Sequence, residues 1–261
     1  MNVRCYGEIE GTPAAPVEEI TGLIRCRIRH KWLVATPEEF VRQALLRRLM
    51  AALEHEAMSG LEIVVEGASL DIAIYPPSLD DLFQPDIPPL LIIETKRRDI
   101  QELDSPSHEH QLLGYLRRTE CRDGVLANCE QLWHYQRLEE GHSKVELTSF
   151  EGLVNLIRTK TSEAQQNLQE HEQWFNRARA GSFEDFRRLV ELYGRSADST
   201  IKFIYEQRGQ LSYVSGFLFH INDEQIHCMP RGQAVQKKLT FSAGTFHRLH
   251  SIISLRRRTQ K

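Results

Sequence analysis

Residues 90–100 read LLIIETKRRDI, four branched apolar residues running into Glu94 and Lys96. A continuous branched run suits a strand covered on both faces, and residues two apart on an extended chain share a face. The end of a buried strand would then aim a carboxylate and an ammonium at one place. Asp71, in SLDIAIY, heads a second strand expected to pair beside the first. Neighbouring strands lie roughly 4.8 Å apart, which lets Asp71 and Glu94 converge at one end of the sheet. Two carboxylates and the Thr95 carbonyl are hard oxygen ligands, of the kind Mg²⁺ or Mn²⁺ takes and zinc does not prefer. Lys96 is placed either to orient or deprotonate a water beside such a metal, or to neutralise charge gathering on a phosphate. These are the parts of phosphodiester hydrolysis: an activated water on one side and cations facing the transition state. Singly each part is common, and a lone E-x-K usually ends a frayed strand in two solvated charges.

The elements around this pair are expected from local patterns. TPEEFVRQALLRRLMAALEHEA predicts a helix, with Thr36 as N-cap, Pro37 at the first helical position and Glu38 and Glu39 in the positive first turn. Its apolar face is Phe40, Val41, Ala44, Leu45, Leu49 and Leu53. LEIVVEG and LDIAIYPP predict a hairpin. SHEHQLLGYLRRTE predicts a helix with Leu112, Leu113 and Leu116 inward, and DGVLANCEQLWHY a strand, a turn and a second strand. KVELTSFEGLVNLI predicts a strand and a short helix. The order helix, hairpin, strand, helix, strand gives an α/β fold, a mixed sheet flanked by helices.

From about residue 160 the texture changes. A polar helix, a break at Gly181-Ser182 and a second helix precede turn-punctuated alternating segments from Thr200, which predict a small antiparallel sheet. TFHRLHSIISLRRR is expected to form a last helix. Trp174, Phe175, Phe183 and Phe186 suit the core of a helical hairpin better than a stacking platform.

Composition excludes several classes. No apolar run approaches the ~20 residues that span a bilayer, and the first sixteen residues hold no signal-peptide core, so a cytoplasmic protein is expected. Five cysteines, an odd number without C-x-x-C spacing, argue against a disulfide framework or zinc ribbon. The net charge is −3, yet no acidic residue follows Glu224. Lys237, Lys238, Arg256, Arg257 and Arg258 make the end of the chain basic enough to meet either phosphates or an acidic protein surface.

Asp71 followed by Glu94-Thr-Lys96 resembles the catalytic signature of the PD-(D/E)xK nuclease superfamily. More narrowly, KWLVATPEEFVRQALLRRL, LDIAIY, PLLIIETKRRDI, HQLLGY and VLANCEQLWHY resemble, in that order, the N-terminal nuclease domain of type I restriction enzyme R subunits. The resemblance covers roughly residues 28–140. It implies a restriction-endonuclease-like fold, a Mg²⁺ or Mn²⁺ cofactor held by Asp71, Glu94 and Thr95, and DNA as substrate. It also assigns Gln111 and Tyr115, the Q-x-x-x-Y element on the helix after the lysine strand, to holding the site and the DNA backbone. The i, i+4 spacing puts both on one helix face. The acidic start of the first helix, Glu38 or Glu39, also matches the family pattern, with Glu39 carried as the supporting residue, although this charge also complements the helix dipole. Two positions depart from the family pattern: Ser69-Leu70 replaces a basic residue before the aspartate, and Ala127-Asn128-Cys129 replaces T-N-G. No G-x-x-x-x-G-K-[ST] loop is present, so a module without a helicase motor is expected.

The resulting expectation is a nuclease domain over residues 1–159, a helical connector over 160–195 and a small basic α+β domain over 196–261 for substrate or partner binding. Arg97 and Arg98 fall on the rim of the site, where phosphate contact and plain solvation are equal readings. The expected function is Mg²⁺-dependent endonucleolytic cleavage of DNA, duplex or single-stranded, in a stand-alone restriction-type module serving anti-phage defence. The alternatives are a silent scaffold with the nuclease fold and an RNase using the same site. Expected partners are DNA, a separate protein engaged through the C-terminal region, and a second copy in a homodimer that would cut both strands; no membrane is involved.

Overall fold

The computed structural model describes residues 19–55, 62–66, 70–76, 82–85, 87–194, 201–207, 210–214, 217–222, 224–230, 239–246 and 250–256. Lys237, Lys238, Arg257 and Arg258 lie outside them, and Arg256 is described only as a strand position. The chain divides into two compact units, one of residues 1–77 and 88–164 and one of 78–87 and 165–261.

The first unit opens with three short strands, β1 (Glu19–Ile20), β2 (Leu23–Cys26) and β3 (Lys31–Val34), paired antiparallel in that order. Helix α1 (Pro37–His55) follows, started by Thr36, whose hydroxyl accepts from the Glu39 backbone N–H at 3.2 Å. Next come β4 (Glu62–Glu66), β5 (Leu70–Tyr75), β7 (Leu91–Thr95), helix α2 (Pro106–Arg118), β8 (Asp123–Ala127), β9 (Leu132–Arg137) and β10 (His142–Glu146); β6 (Phe83–Gln84) lies between β5 and β7 in the chain and belongs to the second unit. The main sheet has the order β10-β9-β8-β7-β5-β4, antiparallel except for the central β7/β8 pair.

A parallel pair needs a crossover, and α2 provides it. Strands β7 and β8 are buried throughout, as expected for branched runs with both faces covered. One face packs Ile72, Ile74, Leu91, Ile93 and Val125 against Leu45, Leu49, Leu153 and Ile157 of α1 and the helix that follows β10. The other packs Ala73, Ile92 and Leu126 against Leu112, Leu113 and Leu116 of α2. This is the helix-flanked mixed sheet expected from the sequence.

Two expectations about the remainder change. The helix after β10, α3 (Phe150–Arg179), is a single 30-residue helix, not a short one followed by another. It runs unbroken through residues 159 and 160, where a domain boundary was expected, because Arg158, Thr159, Lys160 and Thr161 include neither Gly nor Pro to stop it. What changes there is the core it serves: Phe150, Leu153, Val154 and Ile157 belong to the first unit, Leu168, Phe175 and Ala178 to the second. Beyond it, Phe186, Leu189 and Val190 are buried in that second core as well.

The expected last helix is instead strand β16 (His250–Arg256), where branched Ile252 and Ile253 suit extended pairing. It pairs antiparallel with β11 (Ile201–Gln207) and parallel with β6, β12 (Gln210–Val214) completing that sheet. A separate antiparallel sheet holds β13 (Phe217–Ile221), β14 (Gln225–Pro230) and β15 (Leu239–Ser242). With α4 (Phe183–Tyr193), these make the smaller α+β unit at the C-terminal end. Phe175 and Phe186 are buried in its core and Trp174 and Phe183 pack against it, as expected of a helical hairpin. No described helix is long and apolar enough to cross a membrane. Cys26, Cys121 and Cys228 are free and buried, and Cys129 is disulfide-bonded.

Candidate active site

The β5/β7 register pairs Ile72 with Ile93, so the next position outward sets Asp71 against Glu94. Both side chains fall on the α2 face, since residues two along, Ala73 and Ile92, pack there. Asp71 Oδ2 accepts from the Thr95 backbone N–H at 2.7 Å and from the Thr95 hydroxyl at 2.6 Å. Its Oδ1 accepts from Arg42 Nη1 of α1 at 2.6 Å.

Glu94 is 4% exposed and Lys96 7%, so their pairing is not a solvated strand end. Lys96 Nζ donates to Glu94 Oε1 at 2.8 Å and to Gln111 Oε1 at 2.7 Å. Gln111 Nε2 donates to Glu94 Oε1 at 2.7 Å and to the Tyr115 hydroxyl at 2.8 Å. The amide thus reads both charges of the strand at once, carbonyl to the ammonium and N–H to the carboxylate. The i, i+4 spacing on α2 delivers Gln111 and Tyr115 together, as expected. Burial and the neighbouring Asp71 carboxylate push Glu94 up to about 7, against the downward pull of Lys96.

Glu39 also reaches this end of the sheet, through Arg42. It stands three residues after the Thr36 cap, where a glutamate commonly turns back onto the cap's N–H. Here the Thr36 N–H donates to the Val34 carbonyl instead. The Glu39 carboxylate is free to accept from Arg42 Nη2 and, at 2.8 Å, from Gln43 Nε2.

Asp71, Glu94, Thr95, Lys96, Gln111 and Tyr115 are therefore linked directly, and Glu39 joins them through one guanidinium. Arg97 and Arg98 stand apart, about half exposed, with Asp99 at 3.4 Å and Glu130 at 3.2 Å. Sequence reasoning missed Arg42 and the Thr95 hydroxyl. Arg42 sits one turn after Glu39 on α1, a spacing that marks the pair, but its link to Asp71 depends on how α1 lies across the strand end.

A second polar cluster was not foreseen: buried Asp123 accepts from His134 Nε2 at 2.9 Å and Gln136 Nε2 at 3.2 Å, with Lys160 Nζ at 3.1 Å. Burial raises its pKa, and His134 and Lys160 outweigh that and lower it. It lies at the start of β8, the end of the sheet opposite Glu94, and ties α3 to the strands.

The donor chemistry fits a divalent metal of the hard class. Mg²⁺ keeps several waters and takes one or two carboxylates, and Asp71 and Glu94 supply two on facing strands. Among the described residues no group of three or more His, Cys, Asp or Glu is arranged to hold a metal.

No protein-family model matches the chain, and no curated protein does. Among solved structures the chain is similar to one described as "Characterization and crystal structure of the type IIG restriction endonuclease BpuSI", at 20% identity and a TM-score of 0.30, spanning 49% of this chain and 16% of that one.

Proposed function

We propose that this chain is a metal-dependent nuclease that hydrolyses phosphodiester bonds in DNA. The observation that supports it most is the buried linkage of Glu94, Lys96 and Gln111 beside Asp71, at the end of the central strands. A structural ion pair needs only Glu94 and Lys96. Two neighbouring carboxylates, one pushed up to about 7 first by its burial and then by the other, make poor scaffolding and a good cation site.

Asp71, Glu94 and the Thr95 carbonyl would hold Mg²⁺ or Mn²⁺, which when bound polarises the phosphate and lowers the pKa of a water. The chain's own residues do the rest. Thr95 fixes the Asp71 carboxylate through two donors, so one ligand is positioned before substrate arrives. Lys96 has three N–H donors; two are used on Glu94 and Gln111, and the third is left for a phosphate oxygen or the attacking water. Gln111 keeps the ammonium and the carboxylate in register, and Tyr115 orients that amide. Arg97 and Arg98 are exposed beside this end of β7, and exposed pairs of their kind contribute little, so phosphate can take them from their acidic neighbours.

DNA is preferred as substrate from the resemblance of the linear motif set, and the second unit is assigned to substrate or partner binding on the basic charge of its last residues. The test is incubation with plasmid, linear duplex, single-stranded DNA and RNA in Mg²⁺, Mn²⁺ or EDTA, with Lys96→Ala alongside. Cleavage of DNA that needs metal and Lys96 is expected. Cleavage by Lys96→Ala at the parent rate would remove the mechanism, and cleavage of RNA alone would reassign the substrate.

A further inference from the structure

Every carboxylate of the site already has an internal cation. Arg42 is the least expected of these: its side chain is 13% exposed, and its fork bridges Asp71 Oδ1 to Glu39. With Thr95 donating twice to Oδ2, both oxygens of the Asp71 carboxylate are engaged before any metal arrives. Lys96 cannot take the same part, because it is anchored by Gln111 as well as Glu94. Arg42, in contrast, has Glu39 as a second carboxylate one helical turn away, and Gln43 holds that carboxylate in place. It can give up Asp71 without losing its ion pair.

We propose that Arg42 is a built-in competitor for the metal. It neutralises Asp71 in the metal-free protein, and must release Asp71 and fall back on Glu39 for a divalent cation to bind. The inference rests on the metal-site reading above. It makes divalent affinity weak in the free protein, and it makes a bound phosphate, which can take the released guanidinium in a bidentate contact, favour metal loading.

The test is Mn²⁺ binding to the full metal-free chain without nucleic acid, by calorimetry, for the parent, Arg42→Met and Asp71→Asn. Arg42→Met is expected to bind Mn²⁺ tighter by at least about tenfold, the size by which one neighbouring charge shifts a carboxylate's proton affinity. Binding that Asp71→Asn weakens but Arg42→Met does not tighten overturns this inference alone. No binding by any of the three, or binding indifferent to Asp71→Asn, removes the metal-site reading and the inference with it. Should Arg42→Met fail to fold, nitrogen NMR of the parent guanidinium decides. Mg²⁺ is expected to shift the Arg42 Nη signals and quicken their rotation, and unchanged Arg42 signals at saturating Mg²⁺ overturn the proposal.

Discussion

Thr95 donates twice to one oxygen of Asp71, its backbone N–H at 2.7 Å and its hydroxyl at 2.6 Å both reaching Oδ2. The end of β7 is thereby tied to the head of β5 by a side chain in place of a further ladder bond. The carboxylate that would carry half the metal's protein charge is fixed by the residue between Glu94 and Lys96. Thr95 thus acts in this geometry through its N–H and hydroxyl, beyond the carbonyl role that sequence spacing suggests.

Thr95→Val keeps the branched shape and removes only the hydroxyl. A hydrogen bond to a charged group contributes about 1.5–3 kcal/mol, and Asp71 retains Arg42 and the backbone N–H, so the lower end is expected in urea unfolding. Mn²⁺ affinity should fall and Thr95→Ser should restore both. Wild-type affinity in Thr95→Val would mean that the backbone N–H alone positions Asp71.

Glu94 gives the pH dependence of the metal-free protein a definite sign. Its pKa is about 7 when folded, raised by burial and Asp71, against an ordinary 4.5. Between these values the folded state binds more protons than the unfolded one, so stability falls as pH rises through this window. Thermal melts in EDTA should show the parent losing stability from about pH 4.5 to 7, and Glu94→Gln should flatten that slope. A parent slope unchanged by Glu94→Gln would assign the proton to another group. On the proposed metal-site reading protons and metal would compete for this carboxylate, so stabilisation by added Mg²⁺ should grow over this range.

Gln111 serves both charges of the strand, and its replacements separate the two services. Gln111→Leu removes both and should slow cleavage about 10–100-fold, the usual range when a residue orienting metal ligands is lost. Gln111→Glu keeps the acceptor for Lys96 but sets a third carboxylate against Glu94, so it should raise Glu94 further and move the pH–rate profile to higher pH. Tyr115→Phe loses one hydrogen bond to the amide and should cost the least. Equal rates for all three variants would reduce α2 to a packing element.

Much of this site was legible because its spacings are local. Glu94 and Lys96 share a face by strand period, Gln111 and Tyr115 by helix period, and both follow from sequence without any partner. Arg42 was not legible, because its contact with Asp71 is 29 residues distant and is set by the packing of α1 on the sheet. The same limit explains β16. Its residues are extended by pairing with β11 and with the two-residue β6, which lies in a proline-marked stretch with no strand pattern of its own. For α3 the polarity change near residue 160 was misread as a helix end when it marks a change of core along one helix.

Gly124 offers a way to move α2 without touching any charged group. It lies on β8 beneath the helix, and a Cβ there would meet Leu112 Cδ1 and Leu116 Cδ2, each at 3.0 Å. Leu112 and Leu116 are the immediate neighbours of Gln111 and Tyr115, so helix and strand are close-packed at the point where the polar pair is delivered. Gly124→Ala asks only the ends of two leucines to shift and should be mild. Gly124→Val adds two methyl groups and should cost about 1–3 kcal/mol by overpacking, part of it relieved by backing α2 away from the sheet. Gln111 and Tyr115 would then withdraw together from Glu94 and Lys96, whereas Asp71 and Glu94 stay on their strands. Cleavage by Gly124→Val should therefore fall while Mn²⁺ affinity stays near the parent's, and Leu112→Ala in the same chain should recover part of the rate by making room, a coupling a double-mutant cycle would register. Loss of metal affinity in step with cleavage would instead mean that α2 holds Glu94 itself in its binding position, making Gln111 part of the metal site's architecture more than of its chemistry.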